Sequence, residues 1–244
     1  MEQIAWKGRL GPFDLEVGEH TFRPTTITTL LADALAPTPG DVVIDVGSGS
    51  GILAILAAKL GAARVIATDN SEDTQAVGTV NAAKLGVADK IEFFRGDLFE
   101  PLPEGVQADL IIGDVSGIPD DLAAESGWFP SKVGGGPRGS ELPIRMLQEA
   151  KRWLRPGGRL LLPTGSLQDE AAILAVAKSA YGQLREMASR MIPLPSMLSE
   201  SMTVRRLVDR GIVRLRARGS RFLWEAKVWE LRPGIERPLG PVTG

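Results

Sequence analysis

The sequence predicts an α/β fold, a doubly wound and mostly parallel seven-stranded sheet with an antiparallel C-terminal strand. Three observations predict it. Short apolar runs rich in β-branched residues recur along the chain, and segments of helical periodicity separate most of them. Glycines stand where the first strand gives way to its helix. The 244 residues, 43% of them hydrophobic, suffice for one large buried core.

Residues 41–46 (Asp-Val-Val-Ile-Asp-Val) follow Pro39-Gly40 and read as a buried parallel strand. Residues 52–60 read as a helix closed by Gly61. The cycle repeats with a strand at 64–68, a helix at 71–85 ending near Gly86, and a strand at 90–95. Such alternation places parallel strands in one sheet with helices packed on its faces. A further strand is expected at 108–113, a helix at 141–154 stopped by Pro156-Gly157-Gly158, a strand at 159–162 and a helix at 169–181. Residues 115–140, with six glycines, three prolines and little periodicity, break the cycle and read as a substrate lid. After Pro195, a helix at 200–210 and strand-like runs at 213–218 and 221–231 would finish the sheet antiparallel. The expected organisation is an N-terminal extension at 1–36, lying near the mouth of the ligand site, and one main domain at 37–244.

Charge and composition narrow the function. With 28 Lys+Arg against 30 Asp+Glu, a globally basic nucleic-acid coat is excluded, and a polyanion would need a local patch. The chain has no cysteine, which removes disulfides and thiolate metal sites. No run approaches the ~18 apolar residues of a membrane span, so a soluble cytoplasmic protein without membrane association is expected.

The chemistry concentrates on Asp45-Val46-Gly47-Ser48-Gly49-Ser50-Gly51, between the first main strand and its helix. Ligands of open α/β sheets bind there, at the carboxyl ends of the strands. Glycine permits positive φ and close backbone approach, while a helix N-terminus offers free amides to a carboxylate. Ile52 interrupts the Gly-x-Gly-x-x-Gly spacing of dinucleotide folds, which disfavours a nicotinamide-dependent oxidoreductase. Asp69, with Asn70 beside it, ends the next strand, where a carboxylate can take ribose hydroxyls. Asp97, between Gly96 and Leu98, ends the third and could accept from an adenine amino group; Asp114 ends the fourth. Asp45 could fix the turn or meet a ligand ammonium.

From residue 41 to about 181 the chain resembles the class I methyltransferases, with Asp45 to Gly51 as their first motif. Arg23-Pro24-Thr25-Thr26, Gly135-Gly136-Pro137-Arg138-Gly139 and Arg155-Pro156-Gly157-Gly158-Arg159 are similar to the release-factor glutamine methyltransferases, and more loosely to the ribosomal-protein lysine methyltransferases. The resemblance implies S-adenosylmethionine (SAM) as cofactor and in-line attack on its methyl group by a nitrogen or oxygen of a protein side chain or small metabolite. It also implies a place for Thr26 beside the cofactor. Where glutamine and adenine methyltransferases carry Asn-Pro-Pro-Tyr, this chain has Asp114-Val115-Ser116-Gly117. Asp114 could act as base or hold an amine, and Ser116 could position the acceptor or merely form a turn.

Other signals divide evenly or lean to bland readings. His20, the one histidine, is expected to be a surface or packing residue rather than a base, and no metal is expected. Trp128 and Phe129 could cover a substrate or anchor the lid. Ten basic against four acidic residues over 205–237 could receive RNA or an acidic partner, but alternating solvated strand residues explain them as well, and nucleic acid is not favoured. The competing function is a noncatalytic SAM-fold module associated with RNA or the ribosome.

Overall fold

The computed structural model describes residues 1–131 and 133–234. Two antiparallel strands, β1 (Glu2–Trp6) and β2 (Phe13–Val17), form a hairpin ahead of helix α1 (Thr26–Ala34). There follow β3 (Val42–Val46), α2 (Ile52–Lys59), β4 (Arg64–Asp69), α3 (Thr74–Lys84), β5 (Ile91–Arg95) and β6 (Ala108–Gly113). Helix α4 (Asp120–Ser126) interrupts the next connection, and α5 (Glu141–Ala150) leads through a 3-10 turn into β7 (Leu154–Gly165). Then come α6 (Glu170–Ala180), β8 (Gln183–Pro193), α7 (Ser196–Ser199), α8 (Met202–Asp209), β9 (Arg216–Arg218) and β10 (Arg221–Arg232).

The main sheet runs β5-β4-β3-β6-β7-β10-β8, with β9 paired to β10, so it has eight strands. The first five are parallel and β10 is antiparallel to both neighbours. The strand order reverses between β3 and β6, which opens a crevice at their carboxyl ends.

Two cores sandwich the sheet. On one face Leu31, Ile55, Leu56 and Val65 pack with the hairpin's Trp6 and Leu15. On the other Ile44, Ile111, Leu147 and Ile173 pack around Phe99. Helix α2 is buried from Ile52 to Ala58, as a helix apolar on all sides must be.

Several expectations need correction. The hairpin, α1 and β8 were not foreseen in the sequence; β8 is an edge strand whose charged residues mask its alternation. β7 begins at Leu154, so Pro156-Gly157-Gly158 lies within a strand rather than ending a helix. The C-terminal strand does not finish the sheet but lies inside it, between β7 and β8. The 115–140 segment is not irregular throughout. Leu122 and Ala123 of α4 are fully buried, and Asp120 Oδ1 accepts from the amides of Gly134 and Gly136 at 3.2 and 3.1 Å. Arg138 Nε donates to Asp169 at 2.8 Å, tying the segment to α6. Lys132 of this segment, and Glu236 and Arg237 of the basic stretch, lie outside the described residues. Among the described residues no helix is long and apolar enough to cross a membrane.

Candidate active site

The turn after β3 is built by backbone geometry. Gly47, Gly49 and Gly51 have φ of 80°, 51° and 79°, in the left-handed region that favours glycine. The amides of Gly47 and Ser48 both donate to Thr68 O, at 2.8 and 3.0 Å, and the Gly49 amide donates to Asp69 Oδ2 at 2.9 Å. Three β-carbons would obstruct here: one at Gly47 would come within 2.3 Å of Asp114 O, one at Gly49 within 3.0 Å of Phe22 O and one at Gly51 within 2.9 Å of the Phe93 ring. Asn81, fully buried in α3, clasps the turn from behind. Its Nδ2 donates to Ser50 O and Glu16 O, both at 2.9 Å, and its Oδ1 accepts from the Glu16 amide at 2.7 Å.

A cavity of about 700 Å³ opens at the carboxyl ends of β3, β4, β5 and β6. It brings together Gly47, Asp69, Asn70, Gly96, Asp97, Leu98, Asp114 and Ser116 from the sequence-derived site, with Thr26 of α1 at the opposite wall. It does not bring Asp45, Ser48, Gly49 or Gly51 to its surface; these four are buried behind the turn. Asp45 Oδ2 instead accepts from the Ala54 amide at 3.0 Å, fixing the first turn of α2, while Oδ1 has no partner among the described residues. Burial first, and the nearby Asp114, hold its pKa well above the ordinary carboxylate range.

Asp69 accepts from the Gly49 amide through Oδ2 and from the Ser71 amide through Oδ1 at 2.8 Å, so its carboxylate is preset in orientation with lone pairs left over. Asp97 Oδ1 is held by Arg145 Nη2 at 2.7 Å. Leu98 adopts φ of 46°, rare for a residue with a β-carbon, and its carbonyl accepts from Thr68 Oγ1 at 2.8 Å.

Asp114 touches the cavity yet is walled in by protein. This desolvation pushes its pKa up to about 7; a hydrogen bond from Thr28 Oγ1, at 3.5 Å, opposes the shift and Asp69 adds to it. Thr28 was missed in the sequence. Its signal was the spacing Thr25-x-x-Thr28, a reciprocal capping box at the start of α1. Ser116 Oγ donates to Val133 O at 3.3 Å, so in this conformation it braces the loop. The far wall is aromatic, with Phe22 stacked on Phe129 at 5.0 Å between ring centroids and Trp128 and Trp224 nearby in the lining. His20 stands at the rim, 2.8 Å from Glu72, with both side chains about half exposed.

The group that such a site holds is defined by a preset carboxylate, a cavity-facing glycine backbone at Gly47 and a roomy, largely apolar chamber. These fit a nucleoside joined to an amino-acid moiety, and Gly47 lets the turn lie against the Asp114 backbone at the cavity's edge. The proteins of known activity that this chain is similar to are methyltransferases. The family model for ribosomal protein L11 methyltransferase matches residues 17–117. The chain is 36% identical to a release factor glutamine methyltransferase from Cereibacter sphaeroides, over 70% of this chain and 61% of that one. It is 35% identical to a ribosomal protein L11 methyltransferase from Pelotomaculum thermopropionicum, over 59% of this chain and 38% of that one. It thus spans 38% to 61% of those relatives' length. Among solved structures, the L11 methylase from Lactobacillus delbrueckii subsp. bulgaricus shares the fold with a TM-score of 0.54 at 21% identity, covering 87% of this chain and 81% of that one. A SAM-dependent methyltransferase from Geobacter sulfurreducens, solved with S-adenosylhomocysteine, shares it with a TM-score of 0.51 at 17% identity, covering 88% and 93%.

Proposed function

We propose that this protein transfers the methyl group of SAM to a side chain of another protein. One observation carries the reading: carboxylates at the ends of three strands consecutive in the chain, Asp69, Asp97 and Asp114, face one cavity together with Gly47. Bound SAM supplies an electrophilic methyl on a sulfonium, so the protein has mainly to align the acceptor and accept its proton. In this reading Asp69 takes the ribose hydroxyls, the free edge of Asp97 and the Leu98 backbone face the adenine, and Thr26 and Asn70 flank the cofactor. Asp45, Ser48, Gly49 and Gly51 act from behind, by shaping the turn.

Asp114 is the acceptor-side base. A carboxyl group whose pKa lies near 7 is divided between its two forms at neutral pH, so it can receive a proton from an incoming N–H or O–H and give it up to solvent. Ser116 and the Phe22–Phe129 pair frame the acceptor. Residues 127–131, between α4 and the glycines anchored on Asp120, are the part of the lid that would move on loading.

The relatives' names point to protein acceptors. The test is to supply methyl-labelled SAM with ribosomal proteins and release factors as candidate acceptors, then locate the label by mass spectrometry. Label on a protein side chain, with stoichiometric S-adenosylhomocysteine, supports the reading. Binding of SAM with no labelled protein or small-molecule acceptor would favour a noncatalytic module.

A further inference from the structure

The basic stretch near the C-terminus divides in two. Arg214, Lys227 and Arg232 are committed to acids, to Glu170 at 2.7 Å, Glu225 at 3.6 Å and Glu230 at 3.1 Å. Arg205, Arg206, Arg210, Arg216, Arg218 and Arg221 are exposed and pair with no acid among the described residues. All six belong to residues 196–222, an arm whose only acids are Glu200 and Asp209 and which has no lysine. A chain of net charge −2 thus concentrates unpaired cations in one place.

The arm is held together by apolar packing of Leu198, Val204, Leu207 and Val213, with Leu215 and Trp224 against them. Arg206 and Arg210, at the end of α8, complement the helix dipole. The hairpin arginines have no such use. In the register of β9 and β10, Arg218 stands directly opposite Arg221, and Arg216 shares their face two residues along. Like charges facing one another across an antiparallel pair oppose folding, so this face is suited to a counter-charge from outside the chain.

Its position ties the arm to the cavity. β9 pairs with β10 at residues 221–223, on the side that β7 leaves at Gly165, so the hairpin projects beyond the carboxyl ends of the parallel strands, where the cavity opens. Pro195, just before α7, and Trp224, two residues past Phe222, line that cavity. Asp69 and Asp97 stand at the other end of the sheet order, after β4 and β5, so the arm lies on the side away from the cofactor's proposed place.

Four of the seven large apolar side chains that stand exposed among the described residues, Met197, Met202, Val208 and Phe222, are on the same arm. Methionine, aromatic and arginine side chains together are the enriched composition of protein interfaces, whereas a phosphate backbone is bound chiefly by charge. Arginine's planar fork also meets a carboxylate with two parallel hydrogen bonds.

We propose that the arm 196–222 docks an acidic segment of the acceptor protein, interspersed with apolar residues, beside the cavity that receives the side chain to be methylated. This rests on the methyltransferase reading and adds a recognition surface to it. Arg216, Arg218 and Arg221 take the carboxylates, while Met197 and Met202 cover the apolar residues.

The test uses the full chain saturated with S-adenosylhomocysteine and three fluorescein-labelled probes: a peptide of repeated Glu-Ser-Leu, the same peptide with lysine for glutamate, and an oligouridylate of the glutamate peptide's net charge. Anisotropy should report saturable binding of the glutamate peptide and none of the lysine peptide. Arg216→Thr, Arg218→Thr and Arg221→Thr together should weaken the glutamate peptide at least about tenfold, and Met197→Gln with Met202→Gln at least about threefold. The triple variant should bind S-adenosylhomocysteine within about threefold of wild type and melt no lower, because these arginines serve neither cofactor nor fold. On the protein that takes the methyl label it should raise KM at least about tenfold and leave kcat within about twofold, since docking holds ground state and transition state alike. Equal peptide affinity, a lowered melting temperature or an unchanged KM in the triple variant would each overturn the proposal. An oligouridylate bound as tightly as the glutamate peptide would overturn it in favour of nucleic acid. Failure of the wild-type chain to bind S-adenosylhomocysteine would instead strike at the methyltransferase reading itself.

Discussion

At the scale of single residues, Asp114 joins placement to a measurable property. In the folded protein its pKa is raised to about 7, against ~3.9 for an unperturbed aspartate, so between those values the native state binds more protons than the unfolded one. Its effect on stability is therefore most favourable below pH ~4, is lost as pH rises towards 7, and is flat above that. Asp114→Asn, which cannot titrate, should gain stability relative to wild type across pH 4 to 7 and show a constant difference beyond. Denaturant melts across that range check this; parallel curves for the two proteins would mean an ordinary pKa. In turnover, the ionised form is the one that accepts a proton, so the wild-type rate should rise with pH through about 7. In Asp114→Asn that rise should vanish and kcat should fall at least ~100-fold, within the usual range for a lost general base, while SAM affinity changes little.

The glycine turn and the elements that brace it belong to the scale of secondary structure. Gly47→Ala would thrust a β-carbon against the Asp114 carbonyl, a backbone atom that cannot swing aside, at a φ of 80°. Both the turn and the end of β6 must shift, so loss of S-adenosylhomocysteine binding together with Asp114 function is expected. Retained binding, measured by calorimetry, would show the close approach to be incidental. Asn81→Ala should lower stability by at least about 2 kcal/mol in a chemical melt, because it orphans the buried Ser50 carbonyl and the half-buried amide and carbonyl of Glu16. A change under ~0.5 kcal/mol, the usual size of a neutral surface substitution, would contradict the clasp.

Much of this level was legible. The strands at β3, β4, β5 and β6 are short runs dominated by apolar residues, and the acids at or just past the ends of the last three, Asp69, Asp97 and Asp114, could be read off directly. What was not legible depended on contacts distant in sequence. Asn81 sits mid-helix with no local mark of its three long-range bonds. β8 is an edge strand with charges on both faces. Likewise Asp45 reads by position either as a brace of the turn or as a ligand-facing acid, and only the fold shows it buried, accepting from the Ala54 amide.

For the molecule as a whole, the C-terminal strand matters most. β10 pairs with β7 on one side and β8 on the other, and buries Ala226, Val228 and Leu231. A chain cut before Arg221 would lose the strand that joins β8 to the rest of the sheet. It should fail to give a cooperative melt, whereas a cut at residue 234 keeps β10 whole and should retain one. Cooperative unfolding of the shorter chain would show the parallel strands to be self-sufficient. The N-terminal hairpin is integrated in the same way, with Trp6 and Leu15 in the core shared by α1 and α2. That integration is what sets Thr26 and Phe22 at the cavity, opposite the carboxyl ends of the strands.

The proposed function requires this cavity to hold the SAM scaffold with its ribose on Asp69. Calorimetric titration of S-adenosylhomocysteine into wild type and Asp69→Ala tests it without knowledge of the acceptor. A hydrogen bond to a charged group contributes about 1.5–3 kcal/mol, so the account predicts saturable one-to-one binding by wild type, weakened ~10- to 100-fold in the variant. No binding by folded wild type, or equal affinity in the two proteins, would contradict it.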